Sequence, residues 1–559
     1  MAGRHSHAVG VDFGTSTSLV AERKGRLPAT LVPLGVGTQW FPSIAGYDDE
    51  DLLVGEDADE LPSDQVIRSV KRAITRHDDA VVVAGASGPQ RVAADDVIIA
   101  ILAEIGRRAE AAGRPITDGH DLRLGCPAMW DGQQRSRLLS LATKAGLPVD
   151  SSTLIDEPIA AGVAWVTHRF MRYGERPKGR LLVFDMGGGT LDIAVLDIVG
   201  GEQPEISVLS ALGVDQAGDA LDRAVANQLT RMYAKCGVNV WDRAPEEYVD
   251  AVLLRAAKTA KERLTQVAEQ QILLPRRPMG EVPVLTYHKE QLEEAFRPQM
   301  DRALAMIWAA VRAARLTERG GRSPEQLRAT SPAELAQDID YILLAGGMSR
   351  IPYVERRIGR AFPRAQVFDN AGVAADEAIV AGLADTGSYE RLNLHRPGFD
   401  FVVEWEERGE RRQEVLYEAY TPLYTAQQVL NGMFDLGYAR HGREFPGPSQ
   451  GTGVLRVRST SGEYLSLAYV DGRGTDDRRT MDGITLKFGS SRMAFKLYCD
   501  GRVHIRDATG WDLQMRVERW PVIRGRDHAQ LVLRSVEGES TVAPTAWYLS
   551  KDWAPPHSR

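Results

Sequence analysis

Short apolar runs that break at a carboxylate and then at glycine recur along this chain. Residues 8–22 read as a strand, a tight turn and a second strand, with Asp12, Gly14, Thr15 and Ser16 at the break. Residues 181–197 repeat the design: an apolar run, then Asp185, Gly187, Gly188, Gly189 and Thr190, then a second run with Ile193 and Val195. Between these units the period changes to that of a helix. Ile98, Ile101, Leu102 and Ile105 stand at i, i+3, i+4 and i+7, which predicts a helix capped by Asp95 or Asp96. Leu122 to Pro127 reads as a buried strand, and Leu138, Leu141, Ala142 and Ala145 mark a helix stopped by Gly146. Further helices are expected over 220–236, where Leu221, Val225, Leu229 and Met232 share a face, and over about 246–266 and 289–316. Tyr341 to Ala345 is a buried strand that breaks at Gly346 and Gly347 into another helix. Strands alternating with helices predict α/β layers, and the recurring strand–Asp–glycine turn–strand unit predicts two related halves.

The pattern changes after about Ala384. From Phe401 onward, short alternating strands follow, such as Ile484-Leu486-Phe488, Phe495-Leu497-Cys499 and Leu513-Met515-Val517. Asp471-Gly472, Asp482-Gly483 and Asp500-Gly501 supply the turns. This stretch is expected to be a separate all-β, sandwich-like domain over 401–559, joined by a polar linker over 386–400. Trp405, Trp511, Trp520, Trp547 and Trp553 fall within it and are read as core packing rather than a ligand platform.

Composition narrows the function classes. With 559 residues the chain exceeds a single core, and its 43% hydrophobic and 26% charged residues are those of a globular protein. A net charge of -8 argues against a nucleic-acid binder. Cys126, Cys236 and Cys499 lie far apart without metal-ligand spacing, as thiols of a reducing compartment do. No apolar leader or membrane-length run is read, so a cytoplasmic protein without membrane or nucleic-acid partners is expected.

The two glycine turns carry the chemistry. Without side chains, the backbone approaches phosphate oxygens and aims several N–H groups at them. Two such turns face to face, each rooted in a carboxylate suited to Mg²⁺, would clamp a nucleotide's phosphates from both sides. Around them stands an ordered series: Phe41-Pro42-Ser43-Ile44, Gly55, Ser69-Val-Lys71-Arg72, Cys126-Pro127-Ala128, Gln134-Arg135, Asp156-Glu157-Pro158, Gly346-Gly347-Met348-Ser349-Arg350 and Asp376-Glu377-Ala378. Over residues 1–385 this series resembles the nucleotide-binding domain of the seventy-kilodalton heat-shock (DnaK-type) chaperones, within the actin-like ATPase superfamily.

The resemblance implies two duplicated lobes with ribonuclease-H-like sheets, over about 1–184 and 185–385. It implies ATP or ADP with Mg²⁺ as cofactors, and slow hydrolysis. Asp12 and Asp185 would hold the metal through its waters. Gly14, Thr15, Ser16, Gly187, Gly188, Gly189 and Thr190 would bind phosphate. Lys71 would stabilise charge on the γ-phosphate, with Glu157, Thr190 and Asp185 completing the catalytic set; phosphoryl transfer needs positioning and electrostatics more than a covalent nucleophile. Lys261, Thr265, Gly346, Gly347, Met348, Arg350 and Asp376 would hold the adenosine. Lys258, Glu262 and Met348 depart from the family pattern. The family's apolar-acidic linker is not recognisable near 385–400, and no helical lid is expected after Trp553. The implied function is a chaperone-like ATPase coupling nucleotide state to a protein client, with co-chaperones as further partners. The alternative is an ATP-dependent switch or scaffold for one dedicated partner, and a small-molecule kinase stands last.

Overall fold

The structure is a computed structural model. It describes His7 to Ser535 apart from residues 26, 49–50, 63–64, 86–87, 118–120, 151–152, 200–204, 316–323, 386–389, 394–395, 432–436, 460–461, 463, 471–477, 490–492, 500 and 520–529. Two six-stranded sheets organise the first part of the chain. In the first, the hairpin His7–Phe13/Thr17–Lys24 is central, Asp121–Cys126 and Leu154–Asp156 run parallel on one side, and Thr30–Val32 continues the other. In the second, the hairpin Gly179–Met186/Leu191–Val199 is central, Tyr341–Ala345 and Gln366–Phe368 run parallel on one side, and Glu205–Val214 continues the other. The strand order and sense are the same, as the repeated unit predicts. We call the two halves the first and second lobe.

Unbroken burial of each hairpin's first strand explains its place. Val9, Val11 and Phe13 are buried, as are Leu181 to Met186 on both faces, so each strand enters a core and delivers its aspartate at the far end. Two helices lie between the sheets. Glu157–Tyr173 packs on the second sheet, and Ala378–Asp385 packs against both that helix and the first hairpin. Gly10 permits the closeness, since a Cβ there would stand 2.6 Å from the Val380 carbonyl oxygen.

The expected helices are present over Ala94–Ala111, Gly132–Lys144, Gly218–Lys235, Glu246–Arg263, Lys289–Ala314 and Pro352–Ala361. One detail differs. The Ala94–Ala111 helix has no side-chain cap; Asp95 and Asp96 sit in its first turn, and Asp95 accepts instead from Arg137 Nε at 2.9 Å. The segment expected to be a linker is also engaged: Glu390–Asn393 adds a parallel strand beside Glu205–Val214. The second sheet therefore reaches from Gly179 to Asn393.

From Phe399 onward, eleven strands join in one sheet system. Ile484–Phe488, Ala494–Tyr498 and Asp512–Arg519 lie where the alternation puts them, and Phe401 meets Phe495 at 5.0 Å in the core. This stretch is not wholly β, because Ala426–Leu430 is a short helix with a Thr425/Gln428 capping box, packed against Lys289–Ala314 of the second lobe. Trp405 is buried against Phe488, whereas Trp511 is exposed; Trp520, Trp547, Trp553 and the Asp471-Gly472 turn fall outside the described residues. No helix among the described residues is long and apolar enough to cross a membrane.

Candidate functional site

A cleft of about 1940 Å³ lies between the lobes. Seventeen of the eighteen site residues singled out from the sequence line it; the exception is Gly189. Glycine is required there for another reason. A Cβ on Gly189 would stand 2.8 Å from Thr15 Oγ1, and one on Gly188 would stand 2.5 Å from Ser16 Oγ. The turns of the two lobes thus approach to van der Waals range, and any side chain in the second would push them apart. Gly187 differs, because its Cβ position meets nothing closer than the Thr190 oxygen at 3.8 Å.

Between the turns stands one buried cation among buried carboxylates. Lys71 Nζ donates to Glu157 Oε1 at 2.6 Å, and both side chains are almost fully enclosed. Lys71 also lies 5.8 Å from the ring centroids of Phe13 and Trp130. Burial works to depress the lysine's pKa, but Glu157 and Asp12 together outweigh it and hold the group charged. Around the pair, Asp12 is pushed up to about 7 by burial and then by Glu157, and Asp185 is raised well above the usual range by burial, Glu157 and Asp192. Asp185 and Asp192 are register partners across the second hairpin, which sets their carboxyls on the same face of the sheet.

This donor set suits a hard divalent cation. Asp12, Glu157, Asp185 and Asp192 are all buried with Lys71 as the ammonium partner, so a further positive charge would let the carboxylates ionise together. No cluster of three or more candidate ligands occurs among the described residues. Mg²⁺ keeps several waters and needs only one or two carboxylates beside phosphate oxygens. Asp12 and Asp185 would hold it.

Asp192 allows a test that needs no nucleotide. Burial, then Glu157, raises it from 3.8 to about 7, with Thr190 and Lys71 pulling the other way. The folded protein holds that proton more tightly than the unfolded chain, so the associated stability is complete below the unfolded pKa and is lost as pH rises through about 7. Asparagine has no such proton. In nucleotide- and magnesium-free protein, Asp192→Asn should gain on the wild type as pH rises across this window, by up to about 4 kcal/mol. Urea unfolding at a series of pH values checks it; a gap that stays constant would remove Asp192 from the buried-charge account.

The outer end of the cleft is built differently. Gly346 has φ 76°, and a Cβ there would meet Asp185 Oδ1 at 2.5 Å, so glycine lets the third turn lie against the metal-side carboxylate. Lys261 Nζ is engaged with Asp222 Oδ1 at 2.8 Å, and the Thr265 hydroxyl donates to the Glu262 carbonyl at 2.7 Å. Arg350 and Asp376 pair with each other at 3.1 Å near the surface. Met348 is buried, and Lys258 and Glu262 both line the cleft.

Residues behind the site connect it to the C-terminal unit. Arg135 is ion-paired with Asp156, donates through Nε to the Trp130 carbonyl at 3.0 Å and lies 4.3 Å over the Tyr420 ring. Arg396 donates to the same carbonyl at 2.7 Å. Burial, then the neighbouring Arg135 charge, lowers Arg396 to about 10. Arg135 stands in the ordered motif series, but nothing near Arg396 in sequence marks its partner 266 positions away.

Comparison with known proteins agrees with this geometry. The family described as "Hsp70 protein" matches residues 8–388. Chaperone protein DnaK of Thermosipho africanus (strain TCF52B) is 29% identical over 446 residues, covering 78% of this chain and 65% of that protein. Chaperone protein DnaK of Thermosipho melanesiensis (strain DSM 12029 / CIP 104789 / BI429) is 28% identical over 447 residues, with the same coverage of 78% and 65%. This chain therefore matches somewhat less than two thirds of those relatives' length. Two sheets of one topology, the facing glycine turns and the family match over 8–388 place the chain in the Hsp70 family, with the actin-like ATPase fold in its nucleotide-binding domain.

Proposed function

We propose that this protein binds ATP with Mg²⁺ in the interlobe cleft, hydrolyses it slowly, and uses the nucleotide state to alter how its C-terminal unit holds a protein client. The observation that carries this reading is the Lys71–Glu157 pair set between two facing glycine turns. Bound Mg²⁺ would supply charge neutralisation at the phosphates. The chain's own residues do the rest. Backbone N–H groups of Gly14–Ser16 and Gly187–Thr190 orient the phosphates, Lys71 offsets charge that develops on transfer, and Glu157 with Thr190 holds the attacking water. Enclosure strengthens each of these interactions relative to water.

The Trp130 carbonyl supports the coupling half of the proposal. Its ring stands beside Lys71, while its backbone oxygen accepts from Arg396 of the segment leading into the C-terminal strands. A shift of Trp130 on nucleotide binding would reach that segment directly.

Capture of bound proteins by Glu157→Ala in ATP tests the whole reading. A broad set of unfolded clients is the expected result, and Arg396→Ala should shrink the ATP-dependent change in client affinity about tenfold. One stoichiometric partner would favour the dedicated switch, and phosphorylation of a metabolite would favour the kinase. An undiminished ATP-dependent change in Arg396→Ala would overturn the coupling.

A further inference from the structure

The turn that carries Lys71 belongs to the first lobe but is tied down by the second. Ser69 Oγ donates to Asp219 Oδ2 at 2.6 Å, and Arg72 Nη1 donates to the same oxygen at 3.3 Å. Arg72 Nη2 reaches Asp215 Oδ1 at 2.8 Å, and Arg76 Nε reaches Asp215 Oδ2 at 3.0 Å. Asp215 and Asp219 follow the strand Glu205–Val214 of the second sheet, and Asp219 sits in the first turn of Gly218–Lys235. These bonds span the cleft mouth, and all the groups involved line it.

Asp219 and its neighbour Gly218 also grip the second phosphate turn from behind. Gly218 N–H donates to the Gly187 carbonyl at 3.1 Å, and Asp219 N–H donates to the Gly188 carbonyl at 2.7 Å. Asp219 thus joins the Gly187–Thr190 turn through its backbone to Ser69 and Arg72 through its side chain. Lys71 lies between those two residues. Ser69 has φ 57°, a left-handed conformation unfavourable for a serine, and the bond to Asp219 holds it there. The twist sends Lys71 inward to Glu157 and Arg72 outward to the other lobe.

From this continuity we infer that Asp215 and Asp219 form a cross-lobe latch that positions Lys71 only when the lobes close. The latch rests on the proposed nucleotide reading and adds its regulation. The lobes are the bistable element, and the four bonds of the latch exist only in the closed arrangement. Opening the cleft strips Asp219 from Ser69 and Arg72 and frees the Lys71 turn, while the backbone bond from Asp219 to Gly188 stays within the second lobe. Asp215 and Asp219 are positioning residues, acting on the reaction through Lys71. All four partners are part-exposed, so the latch weakens with salt, unlike the buried Lys71–Glu157 pair.

Release of a fluorescent ATP analogue from the full-length protein, with single-turnover hydrolysis alongside, tests the latch. Asp219→Asn and Arg72→Ala should each speed release about tenfold and slow single turnover by a similar factor. The double variant should fall short of the product of the two single effects, because both remove the Arg72–Asp219 bond. Asp219→Glu keeps the charge and should restore most of the wild-type rate. Raising salt should speed release more from the wild type than from Asp219→Asn, which keeps only the Asp215 pairs. Wild-type release from Asp219→Asn, or fully additive effects in the double variant, would overturn the latch while leaving the nucleotide site standing. A wild-type protein that binds no analogue would overturn the nucleotide reading and the latch together.

Discussion

Lys71→Ala should keep Mg²⁺–ATP bound and lose turnover by roughly 10²–10³-fold, the usual cost of removing one preorganised charge from a transition state. The asymmetry follows from where the lysine sits. Its ammonium is 2.6 Å from Glu157 and enclosed with Asp12 and Asp185 nearby, so it acts on charge developing inside the cleft. Phosphate binding depends mainly on the two glycine turns, which the substitution leaves intact. The same change strips Glu157 of its cation, a loss worth about 3–5 kcal/mol when one partner of a buried pair is removed. Magnesium–nucleotide should recover much of that stability by bringing positive charge back. Single-turnover hydrolysis and thermal melts with and without ligand report both effects. Undiminished hydrolysis would make Lys71 a structural partner of Glu157 and no more.

Gly187→Asp should have the opposite signature: a folded protein that no longer binds the nucleotide. A Cβ at this position meets no clash, its nearest neighbour being the Thr190 oxygen at 3.8 Å, so the variant should fold. Its carboxylate would occupy the place of a phosphate oxygen. Two like charges about 4 Å apart repel by about 4 kcal/mol at an effective dielectric of 20. That corresponds to roughly a thousandfold loss of affinity. Gly188 and Gly189 would give a less readable result, because a side chain there also collides with Ser16 or Thr15. Wild-type affinity in Gly187→Asp would mean that the second turn does not hold the phosphates.

Local chemistry made much of this molecule legible in its sequence. The two aspartate-led hairpins declare themselves because a short apolar run marks a strand buried on both faces and glycine sets the turn. The helix bearing Ile98, Ile101, Leu102 and Ile105 declares itself by its period. What the chain conceals is long-range pairing. Asp95 has the form of a helix cap, yet Arg137 claims it from 42 residues away. Residues 390–393 are too polar to announce a strand, and they become one by completing the edge beside Glu205–Val208. Asp215 and Asp219 look like ordinary surface acids until the fold brings Arg72 and Arg76 across the cleft, more than 130 positions away in sequence. One local signal went unread: Thr425 and Gln428 are spaced as a capping box and open the short helix inside the strand-rich C-terminal stretch.

The central claim is that two glycine turns and their aspartates grip Mg²⁺–ATP between the lobes. Calorimetric titration of ATP into the wild type and Gly187→Asp, each with and without Mg²⁺, tests it most directly. The account predicts one site per wild-type chain that tightens with Mg²⁺, and no measurable binding to Gly187→Asp. Equal heats from the two proteins, or none from the wild type with Mg²⁺ present, would contradict it.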